Sequence, residues 1–258
     1  LRRLSAMANK ASQGTTRREV SKLLQGEFGH LYATALNKEW DGLKDRQVVS
    51  LGHTRKALQK AGKWKPPVPF SVQLKDKFTA REDEPDVEEW SSVKGRICIM
   101  GCDHFMKQGI HYFDTFSAKP RPNTWKLLQA IRVLERLYRL AFDYTMAYTN
   151  AEKMAGEEIV MTYPQSFEDW DEDGDPLYIL IERALYGAPD ADHAWGKTRD
   201  AFTLGRFNEK GWTCKRMMYD PCVFKITAPR DGPYTLAATH TDDTDMQGQC
   251  KKVLLEIF

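Results

Sequence analysis

The sequence predicts an α+β fold, an antiparallel sheet backed by helices. Three short runs of strand character, Thr213 to Met217, Val223 to Ile226 and Tyr234 to Thr239, follow one another at hairpin distances. Two helical segments precede them. Asn123 to Phe142 reads as a helix running into a strand, with Leu127, Leu128, Ile131, Leu134, Leu137 and Leu140 as one apolar core stripe. Asp190 to Phe207 reads as a helix with Ala194, Trp195, Thr198, Ala201 and Phe202 on its inner side. Two helices on one face of such a sheet make an α+β domain.

The remaining segments follow from local pattern. Leu1 to Gly14 is polar and without period, so it is expected to be disordered or a linker. Leu31 to Leu43 spaces Leu31, Ala35, Leu36, Trp40 and Leu43 as an amphipathic helix. Lys63 to Pro69 is a break, Phe70 to Leu74 a strand, Glu82 to Val87 an acidic loop and Arg96 to Met100 a strand. Glu157 to Thr162 and Leu177 to Ile181 read as strands, and Cys250 to Phe258 as the start of a helix.

With 41% hydrophobic and 29% charged residues over 258 positions, the chain has the composition of a folded globular protein. It contains no run of eighteen apolar residues that would span a membrane. Five cysteines, an odd and scattered number, argue against a disulfide framework and for a reduced, intracellular setting. The net charge of +2 is unevenly spread: Leu1 to Lys77 holds sixteen Lys or Arg against six Asp or Glu, about +10, which leaves about −8 beyond it. A basic entry half suits a phosphate backbone. An acidic second half suits nucleic acid when its carboxylates hold metal ions.

The carboxylates that could do so are Asp242 and Asp243, adjacent in His240-Thr241-Asp242-Asp243 after a strand-like run, and Asp143 after Leu140-Ala141-Phe142. Neighbours in a strand point to opposite faces, so an adjacent pair at one site implies a tight hairpin turn. Three carboxylates from two segments can hold two hard cations for a phosphate displacement.

Seven blocks of the sequence, in order, carry a further signal. They are Lys94-Gly95-Arg96-Ile97, Gly109-Ile110-His111-Tyr112-Phe113-Asp114-Thr115-Phe116-Ser117 and Phe142-Asp143-Tyr144-Thr145-Met146-Ala147-Tyr148-Thr149-Asn150. There follow Tyr163-Pro164-Gln165-Ser166-Phe167-Glu168-Asp169, Ala184-Leu185-Tyr186-Gly187 through Ala194-Trp195, Asp220-Pro221-Cys222-Val223-Phe224, and His240-Thr241-Asp242-Asp243. Together these seven blocks resemble the reverse transcriptase domain of copia-type retrotransposons, and the last stands where that family has Tyr-Val-Asp-Asp. The resemblance implies a right-hand polymerase whose fingers and palm are present and whose thumb is missing. It divides the chain into a polar segment over 1–30, a fingers-like region with a basic beginning over 31–140, and a palm-like region over 141–258. It also implies an RNA-directed DNA polymerase within a longer polyprotein, with thumb and RNase H expected downstream.

Carried over by position, Asp143, Asp242 and Asp243 would hold two Mg²⁺ ions, with Mn²⁺ as a substitute. Tyr148 would be the aromatic wall under the nucleotide sugar, and Tyr186 and Gly187 would line the nucleotide pocket. Lys94 and Arg96 would reach phosphate from the fingers. The implied partners are a primed RNA or DNA template and a deoxynucleoside triphosphate, in a cytoplasmic particle or the nucleus. The chain departs from the family at His240 and Thr241, at the small residues Ala237-Ala238-Thr239, and at Ala188-Pro189-Asp190-Ala191-Asp192-His193, acidic where the family is basic. A non-catalytic remnant that folds and binds nucleic acid is the competing reading.

Two further motifs fall short of a metal site. Asp169-Trp170-Asp171-Glu172-Asp173-Gly174-Asp175 opens like an EF-hand loop, but Leu180 stands where the bidentate Glu is required. Cys98, Cys102, His104 and His111 lack a standard zinc spacing, and read as buried thiols and loop histidines.

Overall fold

The computed structural model of the chain describes residues 17–80, 88–153, 157–164, 166–209 and 211–256. The expected polar start at Leu1 to Gly14 and the acidic loop at Glu82 to Val87 lie outside the described residues. The described part is mixed α/β with antiparallel sheets and six α-helices. It packs as two units, each of two segments: Leu1–Phe113 with Lys153–Ala191, and Asp114–Glu152 with Asp192–Phe258.

The first unit begins with helices α1 (Arg17–Gln25) and α2 (Gly29–Asp45). Of the expected apolar face of α2, Leu36, Trp40 and Leu43 are buried, Leu31 and Ala35 are only half-buried, and Tyr32 is buried beside them. Strand β1 (Val49–His53), helix α3 (Arg55–Lys60) and the hairpin of β2 (Phe70–Ala80) and β3 (Glu88–Ile99) follow. β5 (Ile159–Thr162) and β6 (Tyr178–Ile181) complete a three-stranded sheet of order β1-β6-β5. Leu36 and Leu43 of α2 share one core with Val72, Leu74, Ile97 and Ile99 of the hairpin and Ile179 and Ile181 of β6. Each such side chain contributes about 1.5–3 kcal/mol by leaving water. Close to where the chain leaves this unit, the buried Glu157 carboxylate accepts the Phe113 amide at 3.1 Å. Burial, then the neighbouring Asp190, pushes the Glu157 carboxyl upward.

The second unit is a five-stranded antiparallel sheet of order β4-β10-β9-β8-β7. Its strands are β4 (Tyr138–Asp143), β7 (Thr213–Arg216), β8 (Val223–Thr227), β9 (Tyr234–His240) and β10 (Asp243–Gly248), and its helices α4 (Pro122–Leu134), α5 (Ala191–Glu209) and α6 (Lys251–Glu256). The two long helices cover opposite faces, a correction to the expected one-faced backing. Leu128 of α4 packs on Val223, Leu236 and Ala238. Phe207 of α5 and Leu254 of α6 pack on Phe224, Ile226, Ala237 and Met246. Alternation along each strand gives both faces apolar positions, so both need cover.

The expected stripe over Asn123 to Phe142 is also corrected. Leu128 is buried, but Leu127 is 60% and Leu134 82% exposed. The helix stops at Leu134 because Arg136 takes a left-handed φ of 53° while the Leu137 amide donates back to Arg132 O at 2.9 Å. That is a Schellman closure with arginine in glycine's usual place. On α5, Ala194 and Trp195 are buried as expected, whereas Ala201 and Phe202 face outward and Arg199, Thr203 and Phe207 are buried instead.

Asp220 joins the two sides of this unit. Its Oδ2 accepts the Arg121 amide at 3.0 Å and the Thr124 hydroxyl at 2.6 Å at the start of α4, and its Oδ1 accepts the Cys222 amide at 3.0 Å. Burial works against the carboxylate, but these hydrogen bonds, Thr124's foremost, outweigh it and hold its pKa below the usual range. Asp220→Ala is expected to cost about 2 kcal/mol, because it strands the buried Cys222 amide and removes both hydrogen bonds at the start of α4. The difference from the parent should be full at neutral pH in urea unfolding. It should shrink as pH falls below the ordinary carboxylate range, where the parent also loses the charge.

Candidate functional site

The site is built where β4, β9 and β10 end together. β9 and β10 form a hairpin in which His240 pairs with Asp243, so Thr241 and Asp242 are its two turn residues. Thr241 has φ 53°, a left-handed value at the first turn position, where two-residue hairpins favour glycine. A β-branched residue there carries strain of about 1–2 kcal/mol. β10 pairs on its other side with β4, and Asp243 stands directly opposite Asp143. The Tyr144 amide donates to Asp242 O at 2.9 Å, extending that pairing past the strand end.

Two of the three expected carboxylates therefore meet on one face. Side chains of directly opposed residues start from Cβ atoms about 4.5–5.5 Å apart. Asp143 and Asp243 are exposed, carry no ion pair among the described residues, and border an open cavity of about 610 Å³ together with His240, Trp125, Arg139 and Asp245. Asp242 lies in the turn beside them and does not line that cavity.

Asp245 is a residue that sequence reasoning missed. It follows Asp243 by two positions on the same face and is 5% exposed. Its charge is met by Arg139 Nε at 2.8 Å and by Gln129 Nε2 at 3.2 Å. Arg139 thus neutralises the buried member of the acidic row and leaves the outer pair, Asp143 and Asp243, uncompensated. The polar run Thr244-Asp245-Met246 gave no strand signal, although β10 is the sheet's second strand.

The expected nucleotide-facing residues divide between the units. Tyr148, in the second unit, lies on a 3₁₀ turn (Ala147–Asn150) after β4. It is half-buried, and its hydroxyl reaches Asp192 Oδ1 at 3.4 Å. Lys94, Arg96, Tyr186 and Gly187 are in the first unit. There Arg96 and Tyr186 come together, the guanidinium 5.0 Å from the ring centroid, a cation–π contact. Lys94 is exposed on β3. Gly187 is the site of a close backbone approach, with φ 89° and the Ile99 carbonyl against its Cα.

No protein-family model matches this chain, and no curated protein matches it. The chemistry rests on its own residues. Among the described residues no group of three or more His, Cys, Asp or Glu side chains is arranged to hold a metal ion. Magnesium, however, is commonly held by one or two carboxylates together with substrate phosphates and water rather than by a complete protein cage. An exposed, opposed pair of aspartates fits that donor set.

Elsewhere, burial pushes the Cys98 thiol up to about 11, a protonated core group rather than a thiolate ligand. The Asp171 carboxylate is occupied by the amides of Asp173 and Asp175, at 3.1 and 2.8 Å, in a local turn. Among the described residues no helix is long and apolar enough to cross a membrane.

Proposed function

We propose that this chain is the nucleotidyl-transfer core of an RNA-directed DNA polymerase, with the fingers and palm of a copia-type reverse transcriptase. The observation that carries the reading is the register of Asp143 opposite Asp243, with Asp242 beside them in a two-residue turn. The order of sequence blocks required those three residues to meet, though they are separated by about a hundred positions.

In this reading Asp143 and Asp243 would hold two Mg²⁺ ions, or Mn²⁺, and Asp242 would be the third carboxylate, from the turn. Cations held there would supply Lewis-acid activation of the primer 3′-hydroxyl and charge stabilisation for the departing pyrophosphate. Tyr148 walls the sugar position and rejects a 2′-hydroxyl by shape. Arg96, Lys94, Tyr186 and Gly187 are assigned to the incoming deoxynucleotide and its phosphates through the resemblance alone. Trp125 and Arg139 border the cavity, one offering a stacking face to a base and the other a cation already shared with Asp245.

Primer extension on an RNA template with magnesium or manganese, comparing the parent with Asp242→Asn, tests the proposal. Extension by the parent and a loss of at least about 100-fold in the variant is the expected result. Equal background in both would instead favour the reading of a folded chain that does not polymerise.

A further inference from the structure

The turn that carries Asp242 sits in a conformation its sequence does not favour, and three side chains converge on the residue responsible. Trp195 Nε1 donates to Thr241 O at 2.6 Å, and Arg199 donates to the same oxygen from its NH1 at 3.3 Å. Lys119 Nζ donates to the Thr241 hydroxyl at 2.6 Å and is also ion-paired with Asp192. Asp192, Trp195 and Arg199 are spaced by three and four residues along the first two turns of α5, so they share one helical face.

Trp195 and Arg199 are 4% and 5% exposed, so both donors reach the half-exposed turn from a buried position that favours a strong hydrogen bond. The Arg199 charge is met by Asp200, which accepts from its Nε at 3.0 Å and NH2 at 2.8 Å, leaving NH1 directed at the turn. Asp200 is fixed in turn by Arg216 at 2.5 Å. The Trp195 ring also packs edge-on against Tyr144, 5.1 Å between centroids, and the Tyr144 amide holds Asp242 O. Both carbonyls of the turn are thus gripped, one by α5 and the other by the end of β4.

We propose that Trp195, Arg199 and Lys119 form a clamp that holds Thr241 in its left-handed conformation and so fixes Asp242 and Asp243 in place. They are positioning residues for the carboxylate hairpin. None of them needs to touch a nucleotide. The catalytic consequence rests on the polymerase reading above; the conformational one does not. The clamp also gives the acidic departure at Asp192 a use, since Asp192 anchors the lysine that reaches the turn.

The test uses the full chain and two readouts. Trp195→Phe, which keeps the aromatic bulk and removes the donor, is expected to speed hydrogen exchange at the Tyr144 amide about tenfold. It should lower kcat for primer extension about tenfold with the deoxynucleotide KM unchanged. Adding Thr241→Gly, which removes the strain the clamp opposes, should restore both within about twofold. A merely structural tryptophan would not be rescued in that way. Lys119→Met, at a half-exposed position, provides the same comparison if Trp195→Phe does not fold. Unchanged exchange in these variants, or no rescue by Thr241→Gly, would overturn the clamp. A parent that does not extend primers would reject the polymerase reading, and the exchange measurement would still decide the clamp.

Discussion

Asp243→Asn is expected to lower primer extension by at least about 10³-fold and, at the same time, to leave the fold slightly more stable. The first effect follows if the two opposed carboxylates are the cation ligands of the transfer step. An amide is a weak ligand for a hard cation, and losing about 4 kcal/mol of transition-state stabilisation gives that factor. The second effect needs only the strand register. Asp243 faces Asp143 across the β4–β10 ladder, and like charges directly opposite one another destabilise a sheet by roughly 0.2–1 kcal/mol. Asn removes that repulsion and keeps the shape, so Tm should rise by about 1–2 °C at low salt, and by less at high salt. A drop in Tm would mean that Asp243 has a partner holding the hairpin together, and the site would need a different account.

Gly187→Ala is expected to be among the most damaging single methyl additions in the first unit, costing about 4 kcal/mol or more. A Cβ at Gly187 would lie 2.1 Å from Ile99 O, a backbone atom that cannot rotate away, and the residue has φ 89°. The chain is pinned there from the neighbouring residue as well, since the Ile99 amide donates to Tyr186 O at 2.7 Å. Gly174 provides the control: its φ is 82°, yet a Cβ there would meet nothing within 4 Å. Gly174→Ala should therefore cost only the left-handed penalty of about 1–2 kcal/mol. Urea unfolding of the two variants separates steric exclusion from backbone preference. If they were equally destabilised, the close approach at Gly187 would contribute nothing beyond its dihedral.

What could be read in the sequence divides along physical lines. α2 announces itself because its apolar residues recur at the helical period, as Leu36, Trp40 and Leu43 do, and β8 and β9 through short runs of strand-forming residues; α5 was legible as a helix, but not in which face it buries. The end of α4 was hidden, because the leucine spacing runs on through Leu134, Leu137 and Leu140 while Arg136, not glycine, takes the left-handed residue that closes the helix. β10 was hidden for the opposite reason. Its buried positions include Asp245 and Gln247; the Asp245 carboxylate is met by Arg139 and Gln129 from other elements, and no local pattern reveals a long-range partner. β1 depends likewise on a strand far along the chain. In the candidate site, the meeting of Asp143 with Asp243 was legible through the order of blocks, whereas Trp195, Arg199 and Lys119 converge on Thr241 from segments with no common signature.

The pairing of β1 with β6 sets a timetable for a ribosome making this chain. Val49 must wait for Ile181, about 130 residues later, before its ladder can close. At about 5–20 residues per second that interval lasts on the order of ten seconds. The β2–β3 hairpin can form soon after Ile99 has emerged, because its strands are neighbours in the chain. The nascent first unit therefore spends that interval with its hairpin available and β1 an open edge, a template for strand pairing with any other chain nearby.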